Sequence, residues 1–541
     1  MSGLSNTTIM KFSNIYQYIL VLLAMFTGVS CTKDFEEINT DPISYSSGNF
    51  NPNFLLTSAQ LNYTGSTDFA YDTWRANLIY CSTMMQGFST VISYWAGDKY
   101  ILNEGYTSAY WGTSAVGAYT EQVKPVTELI EITKDKAQYK NLHQVARIWR
   151  AIVMERITDL YGDVPYTDAG MGYHTNNYYP KYDSQQSIYA GLLKEVEEAS
   201  AALGNDGGTI TGDAIYKGDI GKWKRFGYSL LLRMAMRLTK VDENTAKTFA
   251  QKAVGNTMTG NGDNAFIIHD ESGGRVTQNR NSQVLRGDGG QEHFYVRWSD
   301  TFINFLKATN DPRLGKVAVT RLYPDESTKD KDQNPNAISA PSAQKGMPNG
   351  KDLSGIAAQD IRQHPSFTSF IDYSSPSPGM IKRTGPTFIL TYAETEFLLA
   401  EAAQRWAIGG SAAAHYREGL KNALTFLGQY DEAMAISETE ADQFAGNHPY
   451  NAANGLSMIN NQYWAHTVTM LDFYETWSNW RRSGYPQLNP VIYPNNNTGG
   501  TIPRRFPYPA AEALTNADNY NAASSSVTGG DKLTGRVWWD K

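Results

Sequence analysis

The sequence predicts a mainly α chain, in which helical hairpins pack side by side and a second lobe is built from long loops. Three observations predict it. Apolar residues recur at helical spacing over 141–160, 185–203, 387–407, 411–427 and 457–481. Segments 387–407 and 411–427 are parted only by IGGS, a Gly-rich turn so short that the two helices must run antiparallel. Long Gly/Asn/Ser-rich stretches fill 255–300, 321–375 and 485–535. Segments of that length build functional surface or hold short strands of their own.

Taken in chain order, NLHQVARIWRAIVMERITDL (141–160) sets Leu142, Val145, Ile148, Trp149, Ile152, Val153 and Ile157 near one face, and the Gly and Pro of YGDVPY end the helix. A second helix covers 185–203. A third starts at Asp219, a residue suited to capping, and continues through KWKRFGYSLLLRMAMRL (222–238). The pair 387–407 and 411–427 spans about 40 residues, near the size of a tetratricopeptide unit. Another helix covers 457–481 and runs into WSNWRRSGYP. Neither a tight repeat nor a linker of distinct composition divides the chain. Residues 49–541 therefore read as one domain, with hairpins around 120–255 and 385–485.

The N-terminus reads as an address. Ile19–Phe26 is apolar but far shorter than the roughly 20 residues that span a bilayer. Lys11 ahead of it and small residues behind it give the pattern of a secretory signal peptide over 1–30, with Met10 a more natural start than Met1. The other reading is a buried N-terminal helix. The charge run after Cys31 would sit beside the oily segment unless the chain were cut there. Residues 31–48 then form a tether.

The whole chain of 541 residues carries a net charge of −7, which argues against general nucleic-acid binding. Two cysteines, Cys31 and Cys81, exclude a disulfide scaffold or a cysteine-rich zinc site, and Cys81 reads as a buried, inert thiol. The 34 Tyr and 12 Trp are the unusual entry in the composition, because their rings pair an apolar face with a polar handle.

An ordered set of motifs carries a resemblance: CTKDFEEINTDP (31–42), YWAGDKY (94–100), TDLYGDVPYTDA (158–169), KWKRFGYSLLLRMAMRL, VRWSDTFINFL (296–306), NDPRL (310–314), TYAETEFLLAEAA (391–403), WSNWRRSGYPQL (477–488), IPRRFPYP (502–509) and VWWDK (537–541). The series resembles the SusD/RagB family of nutrient-binding outer-membrane lipoproteins of Bacteroidota, within its SusD-like subgroup. The resemblance implies a mainly α, SusD-like fold with tetratricopeptide-like hairpins and a loop-rich ligand-binding lobe. It implies a SusC-like TonB-dependent β-barrel as partner, glycans or (in the RagB branch) peptides as ligand, and transfer without catalysis. From the residues themselves, the eight histidines are scattered with none at i, i+4 spacing and no stretch matches a twelve-residue calcium loop, so no metal motif is read, and no cofactor is expected beyond a lipid on Cys31. Gly28-Val29-Ser30-Cys31 resembles the lipobox of such lipoproteins, which implies a lipid on Cys31, and Lys33–Glu37 resembles their surface-export signal. Several acyl chains anchor a protein stably to a membrane.

An alternative of another class is a secreted glycosidase on a helical scaffold. It needs two carboxylates facing each other across a cleft. Glu394 and Glu396, two apart on a helix, diverge, and Glu401 is placed to pair with Arg405 at the surface. Asp159, Asp163 and Asp168 flank Gly and Pro, where Asp commonly forms turns. A third class is a purely structural tetratricopeptide adaptor. Lys222, Arg225, Arg233, Arg237 and Lys240 form a basic stripe, read as a solvated face paired with acids such as Glu155 and Asp159 on a neighbouring helix.

Sugar binding wants a flat ring for the C–H face and polar groups for the hydroxyls. Tyr94, Trp95, Asp98, Tyr106 and Trp111 offer both within one segment. Tyr295, Arg297 and Trp298, after the polar loop 273–290, form a second candidate set. The plainer reading is that these rings pack a loop-rich lobe. Trp477, Trp480, Trp538 and Trp539 read as framework.

Overall fold

Helix Lys140–Tyr161 shows how the chain organises itself. Its apolar face, from Leu142 to Ile157, is fully buried, and Gly162 ends it at a positive φ of 91°. In this computed structural model, residues 50–113, 115–328 and 333–541 are described. The signal peptide, the Met10 start, Cys31 and the tether lie outside the described residues, apart from the end of the N-terminal unit at Phe50 and Asn51. Residues 52–541 form a single compact unit.

Successive helices pack against one another. Lys124–Thr133, Lys140–Tyr161, Gln185–Ala202, Ile220–Arg237 and Glu243–Ala253 each lie on the helix before. Asp219 caps Ile220–Arg237 by accepting from the Lys222 amide, and Ser184 caps Gln185–Ala202 in the same way through Ser187. The second series starts one turn later than its apolar pattern suggests. Pro386–Leu390 forms a strand, Thr391 caps, and the helix is Tyr392–Trp406. The run TFIL is β-branched and aromatic, and it pairs antiparallel with Ala265–Ile268, so the sheet takes it from the helix. Ala412–Thr425 packs against Tyr392–Trp406 as an antiparallel hairpin. The helix expected over 457–481 is two, Gly455–Met470 and Phe473–Ser483, broken where Leu471 turns left-handed (φ 60°) and Asp472 caps the second.

The two series meet where Ile220–Arg237 touches Tyr392–Trp406 and where Phe473–Ser483 touches Lys140–Tyr161. The basic stripe ends there, and this corrects its reading as a solvated face. Arg233 and Arg237 are buried. Arg233 reaches Glu155 (3.1 Å) and Glu394 (3.3 Å); Arg237 reaches Glu475 (2.6 Å) and Asp159 (3.1 Å). The partner acids are those the sequence suggests, but the pairing is internal. Asp159 is accordingly a buried helical acid rather than a turn former. Glu401 differs from its expectation too. It holds Arg405, and it is itself buried and gripped at both oxygens by Arg482 at 2.7 Å.

The long loops are not structureless. They contribute one strand to each of three two-stranded antiparallel pairs: Phe88–Ser89 with Arg297–Trp298, Ala265–Ile268 with Pro386–Leu390, and Ala318–Val319 with Ser375–Pro376. Small cores of their own, such as Val91, Met347, Ile361 and Tyr373, sit beneath them. Connections of great sequence separation tie this lobe to the helices. Trp464 donates to the Met85 carbonyl, Asn77 donates to that of Leu471, and the Phe506 amide donates to that of Leu160.

Candidate ligand-binding site

Among the described residues, open aromatic rings converge where the loop lobe meets the start of the π-helical segment Thr73–Ser82. Asp72 builds the entry. Its carboxylate accepts from the amides of Ser66 and Thr73, both at 2.7 Å. Phe69 and Ala70 take positive φ values of 38° and 52°, an uncommon state for residues with a Cβ, and the chain turns there to bring Phe69 against Trp74. The Phe69 and Trp74 rings lie 5.4 Å apart edge to face, and Trp74 and Tyr94 lie 6.2 Å apart at 83°. Tyr94 is 37% exposed. Arg275 lies 4.4 Å over Phe69, and Arg75 lies 3.8 Å over Tyr71 and 5.5 Å from Tyr106.

Beneath the rings sits Glu292, fully buried, accepting from the Tyr94 hydroxyl. Burial raises its carboxyl above the usual range. The Tyr94 hydroxyl opposes that rise, as do the nearby indole N–H groups of Trp95 and Trp74, although neither indole meets a partner at hydrogen-bonding geometry. The Tyr94 hydroxyl is correspondingly hard to ionise, through burial first and then this carboxylate. The loop Gly287–Gly290 closes the cluster. A Cβ on Gly289 would come within 2.8 Å of the Trp74 ring, and Asp288 accepts from both terminal guanidinium nitrogens of Arg383. The arrangement offers flat faces, two guanidinium groups and a buried acid. That set suits a ligand with a C–H face and hydroxyl edges.

The structure distributes the expected site residues unevenly. Tyr94 and Tyr106 belong to this cluster. Four others are corrected, because burial leaves them no face for a ligand. Trp95 lies under the cluster beside Glu292. Asp98 accepts from Asn349 (3.0 Å) and the Gly350 amide (2.9 Å), fixing the lobe. Arg297 is spent on the carbonyls of His293 and Phe370 and the Ser375 hydroxyl, and Trp298 donates to the Val317 carbonyl. Gly97, in the same YWAGDKY motif, packs so close that a Cβ would meet the Ile79 carbonyl at 2.3 Å. Tyr295 is half-buried against Phe294 and Phe370 and donates to Glu326. Trp111 stands apart from the cluster, lining a separate cavity with Tyr119 and Tyr178. Sequence reasoning missed Phe69, Tyr71, Trp74, Arg75 and Glu292. The run FAYDTWR (69–75) carried the same aromatic-plus-polar signal as 94–111.

The acids weighed for catalysis have structural partners. Glu394 lies in the buried arginine network and accepts from Tyr463, and Glu396 holds His415 at 2.7 Å. Asp163 accepts from the Gln185 amide, and Asp168 from Asn177. No described helix is long and apolar enough to cross a membrane.

Comparison with known proteins agrees with this architecture. A chitin-binding protein of known structure is 30% identical, superposes with a TM-score of 0.77, and is covered over 100% of its length by 91% of this chain. A SusD-like protein from Bacteroidetes gives 25% identity and the same TM-score and coverage. A chitin-binding SusD homologue from Flavobacterium johnsoniae, 22% identical over 91% of this chain and 98% of its own, has a TM-score of 0.69 and shares the fold. No curated protein sequence matches. The family profile described as SusD-like, starch-binding and associating with the outer membrane matches residues 45–509, and with it the chain belongs to the SusD-like family.

Proposed function

We propose that this protein is a lipid-anchored, cell-surface glycan-binding protein of the outer membrane that captures oligosaccharides and passes them, without chemistry, to a SusC-like TonB-dependent barrel. The observation that carries the reading is the open Phe69–Trp74–Tyr94 cluster over Glu292, flanked by Arg75 and Arg275. The kinship with a chitin-binding protein at 30% identity points to N-acetylglucosamine oligomers as the first sugars to try. Cys31 is the lipid attachment point in this reading, and residues 31–48 are the tether.

Calorimetric titration against chitin, starch and other glycan oligomers, with a peptide panel alongside, tests the reading. Trp74→Ala and Tyr94→Ala each weaken saccharide binding about tenfold or more, the loss of one stacking face. Binding of peptides but of no glycan refutes the saccharide reading in favour of a RagB-like one. Sugar hydrolysis abolished by substituting one specific carboxylate pair refutes the non-catalytic reading. Cys31→Ala releases the protein from the membrane fraction, and copurification with a barrel encoded alongside tests the partner.

A further inference from the structure

Trp111 lines a cavity of about 420 Å³ together with Tyr119, Tyr178, Pro180, Glu512 and Asn516. That volume falls within the roughly 300–1,000 Å³ of small-molecule sites. Trp111 itself is fixed. Tyr182 stacks on it at 5.7 Å, Tyr119 leans on it at 4.9 Å, and Tyr161 meets it edge-on at 5.3 Å, leaving 7% of its surface.

Packing accounts for that cluster but not for the ring at the mouth. Tyr178 is 69% exposed, yet the chain on either side of it is held. Asn516 donates to the Pro180 carbonyl (2.9 Å), Asn519 to that of Tyr179 (3.2 Å), and Asn177 to Asp168 (3.1 Å). An exposed ring on a fixed backbone is pre-organised for a ligand, because little further ordering is needed on binding. The polar edge is present too. Glu512 accepts from the Tyr182 hydroxyl at one oxygen (2.7 Å), and its other oxygen bonds no described residue. A pyranose laid between Tyr178 and the aromatic wall would bring its hydroxyls to that carboxylate.

We propose that this cavity is a second saccharide site, separate from the Trp74–Tyr94 cluster and weaker, where a second sugar segment docks. This rests on the saccharide reading above. The probe is chitotriose, titrated calorimetrically into the full folded chain and its variants, with circular dichroism checking the fold. The parent binds two equivalents, one tight and one weak. Trp74→Ala/Tyr94→Ala keeps the weak one, adding Tyr178→Ala abolishes it, and adding Tyr178→Phe instead retains it. Tyr178→Ala alone leaves the tight site unchanged. A parent with a single equivalent that Trp74→Ala/Tyr94→Ala removes overturns the second site and leaves the saccharide reading standing. Weak binding that survives Tyr178→Ala overturns the assignment to this cavity. Absence of any chitotriose binding to the parent overturns the second site and leaves the saccharide reading to the wider glycan panel.

Discussion

Replacing Arg482 by Met isolates what one internal ion pair does for this fold. Arg482 grips both Glu401 oxygens at 2.7 Å, both groups are buried, and Asn460 and Asn479 complete the cage. Burial pushes the Glu401 carboxyl up, but the charge and hydrogen bonds of Arg482, helped by Arg405, bring it down from 4.5 to about 2. A folded-state pKa below the unfolded one stabilises above the unfolded value, and the benefit is lost as pH falls from about 4.5 toward about 2. At neutral pH that gap is worth about 3 kcal/mol. Removing the arginine strands a carboxylate in the interior, at a cost of about 3–5 kcal/mol. Urea unfolding followed by fluorescence measures it, with the slope on denaturant unchanged. Between pH 7 and pH 3.5 the deficit narrows by at least about 1.4 kcal/mol, because the parent alone loses that much of its gain and the stranded acid also takes a proton. Glu401→Gln in the Arg482→Met background recovers part of the loss, as coupled partners should. A deficit below about 1 kcal/mol at pH 7, or one independent of pH, refutes this account of the pair.

Three further outcomes follow from the same structure. Burial lifts the Glu394 carboxyl to about 8 despite Arg233, so its contribution is present at low pH and lost as pH rises through that value. Glu394→Gln therefore gains stability relative to the parent between pH 6 and pH 9 in paired denaturation curves, and a constant difference contradicts this. Cys81 is fully buried, and burial pushes its thiol well above the ordinary range. A thiol reagent leaves the native protein unlabelled and modifies one cysteine of the 31–541 chain lacking Cys31 only on unfolding; native labelling at a free-thiol rate would sink the assignment. Gly97→Ala costs about 3 kcal/mol by thermal or chemical melting, since backbone atoms block its Cβ on two sides, and a neutral effect would show that the turn yields.

Helix positions were legible because burial on one face leaves a period of 3.6 in the sequence, as in Lys140–Tyr161. Their exact ends were less so. TFIL at 387–390 could join either a helix or a strand, and only its distant partner at 265–268 decides. The site was half legible for a related reason. Composition marked 94–111 as aromatic and polar, but whether a ring faces solvent depends on what packs above it. Trp298 is covered by Phe88 from a strand distant in sequence and Trp95 is buried beside Glu292, whereas Tyr94, bonded to the same Glu292, keeps its ring partly open. Glu292 had no local signal at all, since its role arises only where the 287–290 loop folds over Trp74. The arginine stripe shows the same limit. Its partners could be named from charge, but nothing local tells a solvated pair from an internal one.

The hydrogen bonds from Trp464 to Met85 and from Asn77 to Leu471 bear on the order in which the molecule is made. Closing contacts of such separation is entropically expensive and comes late. Segment 73–82, which carries Trp74, takes its final neighbours from residues synthesised almost four hundred positions later. A nascent or half-translocated chain thus has no finished aromatic cluster to offer. Completion of the polypeptide, rather than emergence of its N-terminal part, is the moment at which the cluster acquires its shape.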